Sequence, residues 1–254
     1  MIPSVRIVTY NVHKCRGLDR RERPRRIAEV LRETDADIIA LQEVLNIEGP
    51  AREQHQARFI AEELGLSYQV GENRRLRGGA YGNVVLSRFP LRAARNYDLT
   101  WNRREPRGCL RVDVEPDRGG GGVLHVFNVH LGTAFMERRH QARKLVGGEI
   151  LADESLEGAR VVLGDFNEWT HGLASRLLAA HLQSADIRHH LQRGRTYPGL
   201  LPLLHLDHVY YDPTLELKRL TLHRSRSALV ASDHLPLVAD FQFARSRRCT
   251  PREL

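Results

Sequence analysis

Cysteine is scarce in this 254-residue chain: Cys15, Cys109 and Cys249 are odd in number and far apart. They form neither a disulfide framework nor a zinc-type pair, which excludes a small disulfide-stapled scaffold and fits a reducing compartment. Long apolar runs are missing too, and nothing approaches the roughly 20 residues needed to span a bilayer. The first residues, Met1-Ile2-Pro3-Ser4-Val5-Arg6, show no charged stretch followed by an apolar one and read as the lead into a first strand. A cytoplasmic location is expected. Aromatic residues make up only 6% of the chain. The loops hold few of them, so there is no obvious platform for stacking nucleobases.

What the chain does have is positive charge. The net value is +8, and almost all the basic residues are arginine. A basic face could attract phosphate-rich partners: nucleic acid, phosphoinositides or anionic lipid. A solvated arginine-rich surface without a partner is the plainer alternative. The densest cluster runs from Arg20 to Arg26, while residues 245–254 read as a short basic tail with a frayed end. No long linker interrupts residues 1–244, which are expected to form a single domain, and a monomer is expected.

Four times a short apolar run ends on polar or acidic residues. Ile38-Ile39-Ala40-Leu41 runs into Gln42-Glu43, and Val161-Val162-Leu163 into Gly164-Asp165-Phe166-Asn167. Leu206 runs into Asp207-His208, and Leu229-Val230 precedes Ser232-Asp233-His234. Runs of this kind read as buried strands. Carboxylates at the ends of neighbouring strands would converge on one rim, where they repel one another and resist burial. A hard divalent cation shared among them, with Asn and His around it, resolves that conflict. The pattern reads as a metal-dependent hydrolase site.

Periodicity predicts strands near 4–11, 37–42, 67–70, 82–87, 108–114, 123–130, 160–164, 206–211, 215–223 and 235–243. Helices are predicted near 24–34, 54–65, 135–152 and 171–182, and Gly119–Gly122 reads as a hairpin turn. Strands outnumber helices, which suggests antiparallel or mixed sheets covered by a few helices. Asn11-Val12-His13 and Asn128-Val129-His130 each follow a strand, as in a molecule of two similar halves.

In the Gly-Asp-Phe-Asn segment, Asp165 can orient or deprotonate a water and Asn167 can donate to a phosphoryl oxygen. Asp233 can bind a metal, and His234 can act as base or stabilise developing charge, with Asp207 to orient its imidazole. Glu43 is the natural metal carboxylate, with Asn11 as a neutral oxygen ligand. Without zinc spacing, Mg²⁺ is the expected ion and Mn²⁺ the substitute. Arg107 could clamp a phosphate.

Thr9-Tyr10-Asn11, Leu41-Gln42-Glu43, Asn128-Val129-His130-Leu131-Gly132, Gly164-Asp165-Phe166-Asn167, Leu206-Asp207-His208 and Ser232-Asp233-His234-Leu235-Pro236 occur in an informative order. Together they resemble the endonuclease/exonuclease/phosphatase superfamily, the DNase I-like fold. The resemblance implies a four-layer αββα sandwich: two mixed, mainly antiparallel sheets face to face, helices outside, the site at one rim. It also implies Mg²⁺-assisted cleavage of a phosphoester by an in-line water. Glu43 and Asn11 would bind metal, with Asp233 completing that end; Asp165 would align the water; Asn167 would hold a phosphate oxygen; His234 would pair with Asp207. His130 matches a histidine used near the leaving group. Tyr81-Gly82-Asn83 resembles the central strand of compact bacterial members, with Tyr81 and Asn83 as wall residues.

Departures narrow the branch. Val44-Leu45 follows Gln42-Glu43 where abasic-site nucleases carry Thr-Lys, and Leu206-Asp207-His208 fits inositol phosphatases poorly. The expected substrate is a phosphodiester, as in a nuclease or general phosphodiesterase. A lipid headgroup, an inositol phosphate or a phosphomonoester is the alternative, and a silent phosphate-binding module the second. Loops 16–23, 45–53, 71–79, 101–107 and 193–204 would carry that choice, and the apolar segment 198–204 reads as a strand lead-in or a lipid-facing patch.

Overall fold

The computed structural model describes residues 4–116, 122–168, 172–185 and 206–243. The strands among them are β1 (Ser4–Asn11), β2 (Ile38–Asn46), β3 (Ser67–Leu76), β4 (Gly79–Ser87), β5 (Leu91–Asp98) and β6 (Gly108–Val114). They continue with β7 (Leu124–His130), β8 (Ala159–Asp165), β9 (Gln183–Ser184), β10 (Asp207–Tyr211), β11 (Leu215–Leu222) and β12 (Leu237–Phe243). The helices are α1 (Pro24–Thr34), α2 (Gln56–Leu64), α3 (Phe135–Leu145), α4 (Leu173–Ala179) and the single turn α5 (Ala228–Ala231). One sheet runs β11-β12-β1-β2-β4-β3, the other β5-β6-β7-β8-β10-β9. In each, one parallel pair, β1 with β2 or β7 with β8, is flanked by antiparallel neighbours. The two halves therefore share a plan, and the architecture is the DNase I-like α/β sandwich.

Layering follows from the period of two along each strand. In β1, Val5 and Ile7 turn to the interface between the sheets, where they join Ile38, Val112, Val126 and Val161. Val8 and Tyr10 turn the other way, under α1 and α2, with Ile27, Leu31 and Phe59. On the second sheet Phe127, Val129 and Val162 pack outward against α3 and α4. A strand buried on both faces reads as a continuous apolar run, which is how β2 and β8 announce themselves.

Toward one rim the layer between the sheets changes from hydrocarbon to amide. Thr9, Gln42, Asn83 and Asn128 are all fully buried there. The pairing of β2 with β4 slips between Leu41 and Val44, a bulge at Gln42-Glu43. Asn128 reaches across from β7 and donates to the carbonyls of Leu41 and Val84, 2.8 and 2.9 Å away, while accepting from Gln42 Nε2 at 2.7 Å. Asn83 returns the link, donating to the carbonyls of Gly108 and Asn128. Its assignment as a substrate-wall residue is corrected here: its side-chain amide cross-links the sheets, out of contact with solvent.

Other expectations also shift. β5 has no counterpart among the predicted strands, because it is an edge strand whose Arg92 to Asn96 stretch is exposed and lacks alternation. The Leu229-Val230 run is the turn α5, not a strand, and the strand follows His234 instead of preceding it. Helix α3 stops at Leu145. Asn128-Val129-His130 lies within β7, so His130, not Asn128, occupies the strand end that Asn11 holds in β1. Most of the predicted Gly119–Gly122 turn, the 193–204 loop and the 245–254 tail lie outside the described residues.

Asn128→Ala would take the donor from two buried carbonyls, Leu41 and Val84, and an acceptor from Gln42 Nε2. The expected loss is about 3 kcal/mol, read as a lower urea midpoint at unchanged slope.

Candidate functional site

The two parallel pairs point their C-terminal ends to the same rim, which is why residues distant in sequence meet there. His130 ends β7 in register with Asp165, the last residue of β8. Antiparallel β10 begins at that level, with Asp207 opposite Asp165. From the other sheet come Asn11, ending β1, and Glu43, on the bulge of β2. Glycine is required at 164, where φ is +145° and a Cβ would lie 1.9 Å from the Val129 carbonyl oxygen.

Asp165 is the hub and is only 2% exposed. Its Oδ2 accepts from Asn11 Nδ2 at 3.0 Å and lies 3.6 Å from Nε2 of both His130 and His234. Its Oδ1 accepts from the Asn167 backbone at 2.9 Å, fixing a residue with φ of +49°. Asn167 gives one amide hydrogen to the Leu131 carbonyl, at 2.9 Å, and the other meets no acceptor among the described residues.

The two histidines sit in opposite protonation states. Burial disfavours charge on His234, but Asp207 and Asp165, with a 2.9 Å hydrogen bond from Nδ1 to Asp207, outweigh it and push its pKa up to about 10. At His130 the raising influence of Asp165 and Glu43 is outweighed. Burial and then the Arg107 guanidinium push its pKa down to about 4. Arg107 Nη1 lies 3.1 Å from His130 Nδ1. Guanidinium can only donate, so Nδ1 is the acceptor and the ring proton sits on Nε2, toward Asp165. Arg107 is thus engaged with His130 and, at 2.9 Å, with Glu105, which also pairs with Arg74. Arg107, expected to clamp a phosphate, is buried at the site with its guanidinium turned to His130 and Glu105.

Glu43 adopts φ of +60°, which the bulge imposes. Burial opposes its ionisation; His130, Lys14 and a hydrogen bond from Asn11 overcome that and hold its carboxyl well below the usual carboxylate range. Asn11 Nδ2, Lys14 Nζ and the Tyr81 hydroxyl all donate to it, at 3.1, 3.0 and 3.0 Å. Tyr81 therefore does stand at the site, its phenol pushed up by burial and by Glu43. Sequence reasoning missed Lys14 and His13. Both belong to a turn in which His13, Lys14 and Cys15 have φ of +45°, +59° and +56°, a conformation no motif announces. The signal available was adjacency, since they closely follow Asn11. His13 Nδ1 pairs with Asp233 at 3.2 Å, and the Asp233 carboxyl is lowered, against burial, by that bond. Ser232 ties this segment to β1 by donating to the Asn11 carbonyl at 2.7 Å.

The donors available to a metal are all hard oxygens: Glu43, the Asn11 amide and Asp233. Among the described residues no group of three or more His, Cys, Asp or Glu could hold a metal by itself. One or two carboxylates with an amide, completed by water and phosphate, is what Mg²⁺ accepts, so the residues fit that ion.

The model of the Endonuclease/Exonuclease/phosphatase family matches residues 8–234. The uncharacterized protein YbhP of Escherichia coli (strain K12) is 32% identical over 248 residues, covering 93% of this chain and 96% of that protein. An endonuclease/exonuclease/phosphatase family protein from Bacteroides thetaiotaomicron superposes with a TM-score of 0.78 at 17% identity, covering 97% of this chain and 100% of the other. The mannosyl-6-phosphatase Bt3783 of Bacteroides thetaiotaomicron VPI-5482 gives a TM-score of 0.74 at 18% identity, over 94% of this chain and 100% of that one. At these identities the two structures establish a shared fold.

Titration by ¹⁵N NMR is expected to show His234 doubly protonated at neutral pH and His130 neutral with its proton on Nε2. The raised His234 value carries a stability consequence. Its contribution is complete below the ordinary value of 6.5 and is lost as pH rises through about 10. Asp207→Asn should flatten that loss and bring His234 into its ordinary range.

Proposed function

This chain belongs to the Endonuclease/Exonuclease/phosphatase family, and we propose that within it the chain is a Mg²⁺-dependent phosphoesterase cleaving a phosphodiester by in-line attack of water. Family members are hydrolases acting on phosphoester bonds. The observation that carries the reading is the convergence of Asp165 and His130, from two strand ends of the second sheet, and His234, from the loop leading into β12 of the first, on one point beside an ionised Glu43.

Each residue has a role that its geometry supports. Asp165, an acceptor already surrounded by donors, aligns the attacking water and takes its proton. His234 is charged before substrate arrives, so it serves as a fixed cation against the charge growing on phosphoryl oxygen, and Asp207 holds it there. His130, neutral, offers its Nε2–H to a phosphoryl or leaving oxygen. The second amide hydrogen of Asn167 is available to another. Glu43 and Asn11, with Asp233, would hold Mg²⁺ or Mn²⁺, which neutralises phosphate charge when bound. Arg107 keeps the His130 tautomer, and Tyr81 supports Glu43.

The test is a hydrolysis screen, with Mg²⁺ and then with EDTA. Its substrates are bis-p-nitrophenyl phosphate, supercoiled plasmid, a phospholipid and inositol-phosphate panel, and mannose 6-phosphate. EDTA should abolish turnover and added Mg²⁺ restore it. Asp165→Asn and His234→Ala should each cost about 10²–10⁴ in kcat. Unchanged turnover in Glu43→Ala or His234→Ala would show that the site lies elsewhere.

A further inference from the structure

Among the described residues, the large apolar side chains that stand exposed are Leu18 (42%), Phe135 (57%), Met136 (53%) and Val230 (41%). Their placement is not scattered. Leu18 follows the turn that carries His13 and Lys14, and its amide donates to the Val230 carbonyl at 3.1 Å. Val230 stands two residues before Ser232, whose hydroxyl holds Asn11. Phe135 and Met136 open α3, beginning five residues beyond His130 on the other sheet. The four thus form two pairs, one on each lip of the rim where Asn11 meets Asp165.

Charge accompanies them. Arg16, Arg20, Arg21 and Arg23 are exposed on the Leu18 side, and none forms an ion pair with another described residue. The two acids within this stretch are paired with other arginines, Asp19 with Arg26 and Glu22 with Arg77, each at 2.8 Å. On the opposite lip Arg103 is exposed close to Trp101, again without an ion pair among the described residues. Exposed apolar side chains interleaved with uncompensated arginines match an anionic lipid interface: hydrocarbon enters between headgroups while guanidinium meets their phosphates. Nucleic acid is a poorer match, since only Phe135 of the four could stack on a base.

We propose that this rim docks on an anionic phospholipid surface through Leu18–Val230 and Phe135–Met136, so that the phosphoester delivered to Asp165 belongs to a lipid headgroup. The substrate class rests on the hydrolase reading above; the docking does not.

The experiment is co-sedimentation of the full chain, in EDTA, with phosphatidylcholine vesicles and with vesicles containing about one-third phosphatidylglycerol. Capture by the anionic vesicles alone is expected. Phe135→Ser with Met136→Ser, and Leu18→Ser with Val230→Ser, should each lower partitioning at least about tenfold. Arg20→Glu with Arg21→Glu should lower it in a salt-dependent way. Turnover of soluble bis-p-nitrophenyl phosphate by the Phe135/Met136 variant should match the parent chain, which shows that it folds. No capture, capture unchanged by these substitutions, or oligonucleotide binding that falls with the same substitutions would overturn the proposal. Because capture is read without metal, a failed docking is distinguishable from a failed hydrolase: either result can occur with the other intact.

Discussion

The site depends on satisfying one buried carboxylate at the join of two sheets. Asp165 is almost wholly buried, and a polar group in that position persists only where hydrogen-bond donors surround it. Asn11 supplies one hydrogen bond from the first sheet, the Asn167 backbone another, and two imidazoles approach on either side. Asn11 and His234 come from segments of the first sheet, His130 from the second. Their meeting requires that the sheets be in register, so the packing of the sandwich and the chemistry of its rim are one constraint. The same Asn11 amide also contacts Glu43, which couples the Asp165 carboxylate to the Glu43 carboxylate across the two sheets.

That registration is held by polar contacts as well as hydrocarbon. The bulge at Gln42-Glu43 interrupts the β2–β4 ladder, and Asn128 fills the interruption from the opposite sheet. Displacing the ladder there does two things at once. It turns Glu43 to the rim with a left-handed backbone, and it gives the second sheet a polar anchor a few residues below the site. Local strain of this kind survives only where its surroundings over-determine it. The turn His13-Lys14-Cys15 is a second instance, anchored by the bond from the His13 amide to Asn11 Oδ1 at 3.0 Å.

Much of this was legible in the sequence, and what was not has physical causes. Strands β1, β2 and β8 and helix α1 are read from periodicity because both faces of each strand, and one face of the helix, are committed to cores. The ordered motifs bring forward Asn11, Glu43, His130, Asp165, Asp207 and His234, and the structure gathers these six on one rim. Edge strand β5 escapes because it needs no alternation. Asn83 looks like a wall residue because an amide that bridges two sheets is indistinguishable, in sequence, from one that faces a ligand. Arg107 reads as a phosphate clamp for a similar reason: its partner, His130, is brought near only by the pairing of β6 with β7. Lys14 is silent because nothing in a tripeptide signals three successive left-handed residues.

On the proposed function, the rim shared by the two sheets holds a divalent cation that serves phosphoester chemistry. The most direct test is an anomalous difference map from crystals of the protein grown with Mn²⁺. One strong peak is expected against the Glu43 carboxylate and the Asn11 side chain, with the Lys14 ammonium moved away from Glu43. A map with no peak there, or with Mn²⁺ bound only at carboxylates elsewhere on the surface, would contradict it.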